Sequence, residues 1–213
     1  MKITDSLPED NKYGKPLSHY QSVYRELDPE ETAKRCNLEF NSETSCFGLR
    51  ILGTEYDVPH PCFLLQDRNG IDSTNPYEKI LFIRYLCEGK YFPPGGKKLS
   101  YNEFPWGSVY YRNFEGRCLK RLAYAFGRDI PAFKKLIEAN GQLGAQTAGN
   151  GDASYRLEFI NGLYVTIILW QADDEFPPSA QILFDDNFVF AFTAEDLAVA
   201  GEILVERLRT LKP

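Results

Sequence analysis

The spacing of apolar positions changes period several times along this chain. Tyr20, Val23, Tyr24 and Leu27 recur at three- and four-residue steps, which predicts a helix over 16–27. Asp28 followed by Pro29 opens a second helix, because proline fits the first helical position. The pattern then turns to strands. Residues 46–51 and 54–58 flank Leu52-Gly53 and predict a hairpin, and residues 62–65 predict a short strand. Asn75-Pro76-Tyr77-Glu78 predicts a helix start, with Asn75 as cap and Glu78 reaching back to the cap amide. That helix runs over 77–88 and carries Ile80, Leu81, Phe82 and Ile83 in a row, so it is expected to be deeply buried.

Residues 91–107 contain Pro93-Pro94-Gly95-Gly96 and Phe104-Pro105-Trp106-Gly107 and predict a long loop. Helices follow over 113–126 and from Asp129 to Asn140. Residues 141–151 are small and polar and predict a mobile surface loop. The clearest β signal comes next. Tyr155, Leu157 and Phe159 alternate with Arg156 and Glu158, and Asn161-Gly162 suits a turn with positive φ at both central positions. The chain returns over 163–170, and two further strands are expected at 181–184 and 188–192. Thr193, with Asp196 three residues on, opens a final helix whose apolar face is Leu197, Ala200, Leu204, Leu208 and Leu211. Strands on both sides of a helical middle predict an α+β fold. Its mostly antiparallel sheet is built from N- and C-terminal segments, with helices packed on it.

The 213 residues, 43% hydrophobic and 14% aromatic, are enough for a single domain over 1–213, with residues 1–15 frayed. The first fifteen residues are polar, with neither signal-peptide nor transit pattern, and the longest apolar run is far too short to span a bilayer. The expectation is a cytoplasmic protein with no membrane partner. The net charge of −6 argues against a nucleic-acid partner. The nearest basic stripe, from Arg112 to Arg128, reads as a solvated helix face.

Chemistry-bearing motifs are weak. Cys36, Cys46, Cys62, Cys87 and Cys118 are spread singly, and the nearest two have nine residues between them. Zinc sites and iron–sulfur clusters need closer thiolates, and Cys62, Cys87 and Cys118 read as core thiols. A Cys62–His60 pair lies on one strand face without an orienting third group. Gly95-Gly96-Lys97-Lys98 follows two prolines rather than a strand, so it is not a phosphate loop. No iron–sulfur, zinc or nucleotide motif is present, and the cofactor is unknown.

The most site-like stretch is 170–186. Trp170 is followed by Asp173, Asp174 and Glu175, then by Phe176-Pro177-Pro178, and Asp185-Asp186 closes the next turn. These acids suit a hard cation, an acid–base pair, or a cationic planar ligand cupped against the indole. A hydrated turn is the slightly preferred alternative. Glu103, beside Phe104-Pro105-Trp106-Gly107, is a second-rank candidate: exposed aromatic loops line ligand pockets, and more often they are lids over a core. The candidate ligand-binding residues are therefore Trp170, Asp173, Asp174, Glu175, Asp185 and Glu103.

Residues 175–180 (EFPPSA), 182–185 (ILFD) and Glu195-Asp196-Leu197-Ala198 with Gly201-Glu202 resemble the C-terminal block of domain of unknown function 3786. Residues 52–56 (LGTEY) and 100–105 (SYNEFP) resemble its earlier pattern, and the likeness covers about 26–208. The resemblance implies a family found mainly in anaerobic prokaryotes, some members carrying an iron–sulfur segment whose clustered cysteines this chain lacks. It also implies an accessory place in anaerobic one-carbon or redox metabolism, and it brings no active-site residues. Three functions follow. The first is a non-enzymatic module binding a small molecule or a protein. The second is a hydrolase or lyase with Glu175 or Asp174 within a few ångströms of Asp185 or Glu103. The third is a homodimeric interaction protein with a large apolar patch.

Overall fold

A computed structural model describes residues 13–212. Of the N-terminal stretch expected to fray, residues 1–12 lie outside the described residues, and Gly14 and Lys15 already belong to a helix. That helix, α1 (Gly14–Arg25), is followed by α2 (Pro29–Cys36), whose first turn is held by the Asp28 carboxylate accepting from the Glu31 amide. Four strands come next: β1 (Glu39–Asn41), β2 (Cys46–Ile51), β3 (Thr54–Pro59) and β4 (Gln66–Asp67). Then α3 (Pro76–Glu88), β5 (Lys98–Ser100), a 3-10 turn (Tyr101–Glu103) and α4 (Gly107–Phe114) lead into a π-helical segment (Glu115–Lys120). With α5 (Arg121–Phe126), α4 and this segment form one continuous helical rod. After α6 (Ile130–Ala139) come β6 (Gln146–Thr147), β7 (Ala153–Ile160), β8 (Leu163–Trp170), β9 (Ser179–Asp185), α7 (Phe188–Ala191) and α8 (Ala194–Thr210).

The fold is α+β. The strands form one nine-stranded sheet in the order β4-β3-β2-β7-β8-β9-β5, with β1 beside β2 and β6 beside β7, and every pairing is antiparallel. The N-terminal hairpin meets the C-terminal strands at Ile51 opposite Ile160. One sheet is thus built from both ends of the chain, as the pattern predicted.

Strand alternation sorts the two faces. Tyr155, Leu157, Phe159, Val165, Ile167, Ile182 and Phe184 point toward the helices and are buried. There Phe159 meets Phe82 and Phe188, and Phe114 meets Phe184. The other face is a ladder of charges. Arg50 pairs with Glu158 and Glu55, Arg68 with Glu55 and Asp57, and Arg156 with Asp185. One apolar and one polar face is the usual economy of an antiparallel sheet.

Several local expectations are corrected. Residues 62–65 are not a strand; pairing begins only at β4. Residues 188–192 are not a strand either. Phe188 and Ala191 are buried while Val189 and Phe190 are exposed, a three-residue spacing that a short helix satisfies and a strand does not. Glu78 does not reach back to its cap, because its buried carboxylate is taken by Arg207 and by the Ser73 hydroxyl. Cys62 is exposed rather than a core thiol. At Asn161-Gly162 only Gly162 has positive φ; the turn with both central residues positive is Leu52-Gly53. The loop 141–151 contains β6 and a buried Leu143.

Candidate functional site

The stretch 171–178 links β8 to β9, and its acids first serve the backbone. One Asp173 oxygen accepts from the amides of Glu175 (2.9 Å) and Phe176 (2.6 Å), and Asp152 accepts from the Gln171 amide at 2.7 Å. Asp173 is therefore the pivot of a short side-chain-capped turn. Asp174 and Glu175 are exposed, with no side-chain partner among the described residues. Trp170 is 40% and Phe176 66% exposed, and with Asp152, Asp173 and Pro177 they line a shallow concavity of about 440 Å³. Asp174→Asn and Glu175→Gln are expected to change unfolding free energy by less than about 0.5 kcal/mol in urea titrations. A larger loss would show that these carboxylates hold the turn.

The other two acids have structural partners of their own. Trp170 pairs with Ser179 at the start of β9, whereas Asp185 ends that strand. Six residue steps separate Ser179 from Asp185, about 20 Å. Asp185 is only 5% exposed and is held by Arg156 at 2.6 Å, with the Arg156 guanidinium stacked 3.7 Å from the Tyr164 ring centre. Glu103 closes a capping box. Its carboxylate accepts from the Ser100 amide and hydroxyl, both at 2.7 Å, and those bonds hold its pKa below the ordinary glutamate value. The structure thus keeps Trp170 and Asp173 together, leaves Asp174 and Glu175 in solvent beside them, and sets Asp185 and Glu103 in separate structural roles. The pairing of Glu175 or Asp174 with Asp185 that one form of the hydrolase or lyase reading needs is not assembled.

A second locus comes from the Phe104-Pro105-Trp106-Gly107 loop. The Gly107 amide donates to the Phe104 carbonyl at 2.9 Å, and Trp106 sits at φ 67°, ψ 0°. With proline before it, this is a type II turn, whose third position ordinarily demands glycine or asparagine. Left-handed backbone costs a residue with a Cβ roughly 1–2 kcal/mol. Yet the Trp106 indole is 75% exposed, while Phe104 in the same turn is 4% exposed and packs edge-on against Phe184. The loop is half lid and half display. One helical turn further on, Val109 and Tyr110 are also exposed, at three- and four-residue steps from Trp106. Behind Tyr110 lies a cleft of about 470 Å³ that also touches Tyr101, Asn113, Arg117, Glu195 and Glu202.

A model of the family described as domain of unknown function 3786 matches residues 28–207. The chain belongs to this family. No curated protein and no solved structure matches the chain. The family match begins at the Asp28 cap of α2 and runs into α8, so it includes the Trp106 turn, the Trp170 concavity and the whole sheet.

The π-helical segment was not foreseen, although the sequence holds its signal. Buried Phe114, Cys118, Leu122 and Phe126 recur at strict four-residue steps. A regular α-helix would rotate such a row steadily off the core, at 3.6 residues per turn. Wider π turns absorb that drift, and such segments often accompany functional sites. They bring Cys118 and Phe114 against Gly201 of α8 and aim Arg117 and Arg121 at Glu202. The expected solvated face of 112–128 is therefore partly an ion-pair seam, with Arg121 also 2.9 Å from Glu206. Among the described residues no group of His, Cys, Asp and Glu is placed to hold a metal ion, and no helix is long and apolar enough to cross a membrane.

Proposed function

We propose that this chain is a non-enzymatic, cytoplasmic protein-binding module that takes its partner on Trp106, Val109 and Tyr110. The carrying observation is Trp106, which tolerates a strained left-handed backbone while three quarters of its surface stays in water. Strain of this kind clusters at functional sites, and Trp, Tyr and Arg are the residues that dominate interface energies. Two further features support a role without covalent chemistry. Burial pushes the Cys36 thiol up to about 11 and the Cys118 thiol up to about 12, away from thiolate reactivity. The carboxylates Asp173, Glu103 and Asp185 are committed to a turn, a cap and an ion pair. The accessory place in anaerobic one-carbon or redox metabolism that the resemblance implies fits a docking protein.

Trp106→Gly tests this reading. Glycine relieves the left-handed strain but adds freedom to the unfolded chain, worth about 0.4–1 kcal/mol. Stability is expected to stay level or rise by up to about 1 kcal/mol. Binding is expected to weaken by roughly 30-fold, the loss of about 2 kcal/mol typical of an interface hot spot. Quantitative comparison of proteins retained from host lysate on wild-type and variant chains reads this out. An identical retained set would sink the proposal.

A second reading is favoured by the half-open Trp170 indole, which lines an acidic concavity together with Phe176. It is a site for a small cationic planar ligand, with Asp174 and Glu175 supplying hydrated charge nearby.

A further inference from the structure

The chain carries a net charge of −6, yet its exposed helical rod is basic. From Gly107 to Arg128 the only acid is Glu115, against Arg112, Arg117, Lys120, Arg121 and Arg128. Arg117 and Arg121 are spent on Glu202 and Glu206 of α8. Arg112 and Arg128 are exposed and have no ion-pair partner among the described residues, and Lys120 is exposed with only a 3.2 Å surface pair to Glu115. Such a pair is weak in water. Where the rod meets the end of α8 a trough of about 770 Å³ opens, with Lys120, Arg121, Arg209 and Lys212 among its walls and Glu206 as its acid. Exposed Tyr124 also lines it. Part of this charge complements the C-terminal end of α8, and Lys212 caps the Ala125 carbonyl. That account leaves Arg112, Lys120 and Arg128 unexplained.

We infer that the partner presents an acidic protein segment, which lies along the rod from an apolar anchor at Trp106 to the basic trough beside Tyr124. This deepens the docking reading above and rests on it. The eighteen residue steps from Trp106 to Tyr124 span about 27 Å of helix, the length of roughly eight extended residues. A segment of that size meets aromatic surface at both ends, with unpaired Arg112 and weakly paired Lys120 between them and Arg128 just beyond. A nucleic-acid strand would also find cations and aromatic faces. It carries charge at every nucleotide, however, and would have to pass Glu115 and Glu206. A peptide can place neutral side chains opposite those acids.

Random-peptide display panned on the full chain at low salt, with Trp106→Gly as the counter-screen, tests the inference. The expected binders carry net negative charge and an aromatic or aliphatic anchor. They should lose at least tenfold in affinity to Arg112→Glu/Arg128→Glu, a change at two unpaired surface sites that leaves folding intact, and their binding should fall with added salt. Binders that need Trp106 but carry no net negative charge, or that ignore the charge reversal, would overturn this inference and leave the docking reading standing. Binders indifferent to Trp106, or no enrichment over the counter-screen, would overturn both. A single-stranded oligonucleotide binding more tightly than every selected peptide would replace the acidic segment with nucleic acid. Self-association abolished by the same charge reversal, with no peptide enriched, would replace it with a second copy of the chain.

Discussion

Arg156→Ala is expected to destabilise the fold by about 3 kcal/mol, because it strands the Asp185 carboxylate in a poorly hydrated place. The Asp185 side chain is 7% exposed, and the Arg156 guanidinium 2.6 Å away is its only ion-pair partner among the described residues. Arg156 also lies flat over Tyr164, so truncation removes a cation–π contact and packing area along with the charge. For a chain of this length the loss corresponds to a fall in melting temperature on the order of 10 °C. Asp185→Asn should cost less, since an amide can stay buried without a counter-charge. Urea and thermal melts of both variants check the order. If Arg156→Ala stayed within 1 kcal/mol of wild type, Asp185 would have to be hydrated and free, and the site reading of the 185–186 turn would return.

Most of the architecture was legible because it depends on period and on local capping. The alternation in 153–160 and the capping residues Asp28, Asn75, Asp129 and Thr193 each specify a local geometry that the tertiary structure respects. Failures came where a distant partner decided. Glu78 fits a capping box by spacing, but Arg207, far along the chain on α8, offers its carboxylate a charged bond in a buried place. Charge-assisted pairing outweighs one backbone amide. Residues 188–192 are apolar enough for either element, and the packing of Phe188 against Phe159 and Phe184 selected the helix.

The candidate site was legible in the same partial way. A dense run of acids beside Trp170 draws attention in a sequence, but a sequence does not show that Asp173 is spent on two amides or that Asp185 lies at the far end of its strand. Trp106 was in view only as a neighbour of Glu103. Its importance lies in a dihedral angle and an exposure, and neither is written in residue order. Pro105 before it and Gly107 after it mark a turn, but they fit the commoner type I pattern, in which the residue between them has negative φ, so residue order gave no sign of the left-handed tryptophan.

Gly107→Val is expected to cost about 3 kcal/mol or more, the opposite outcome from Trp106→Gly one residue away. A Cβ at Gly107 would stand 1.9 Å from the Tyr101 carbonyl oxygen and 3.0 Å from its carbon. Those are backbone atoms and cannot swing aside. Nor can Tyr101 retreat, because its ring stacks on Phe114 at 4.1 Å and its hydroxyl donates to the Ala194 carbonyl at 2.7 Å. Relief requires α4 to lift from the 3-10 turn beneath it, and overpacking of this kind costs roughly 1–3 kcal/mol before the poor helix propensity of valine is added. The two variants separate display from support. Trp106→Gly removes the presented side chain and keeps the turn, so binding falls while the melting temperature holds. Gly107→Val keeps the indole but moves the helix that aims it, so binding and melting temperature fall together. A Gly107→Val chain with wild-type stability would mean that α4 is free to shift on Tyr101, and the rigid presentation of Trp106 on which the docking proposal depends would be lost.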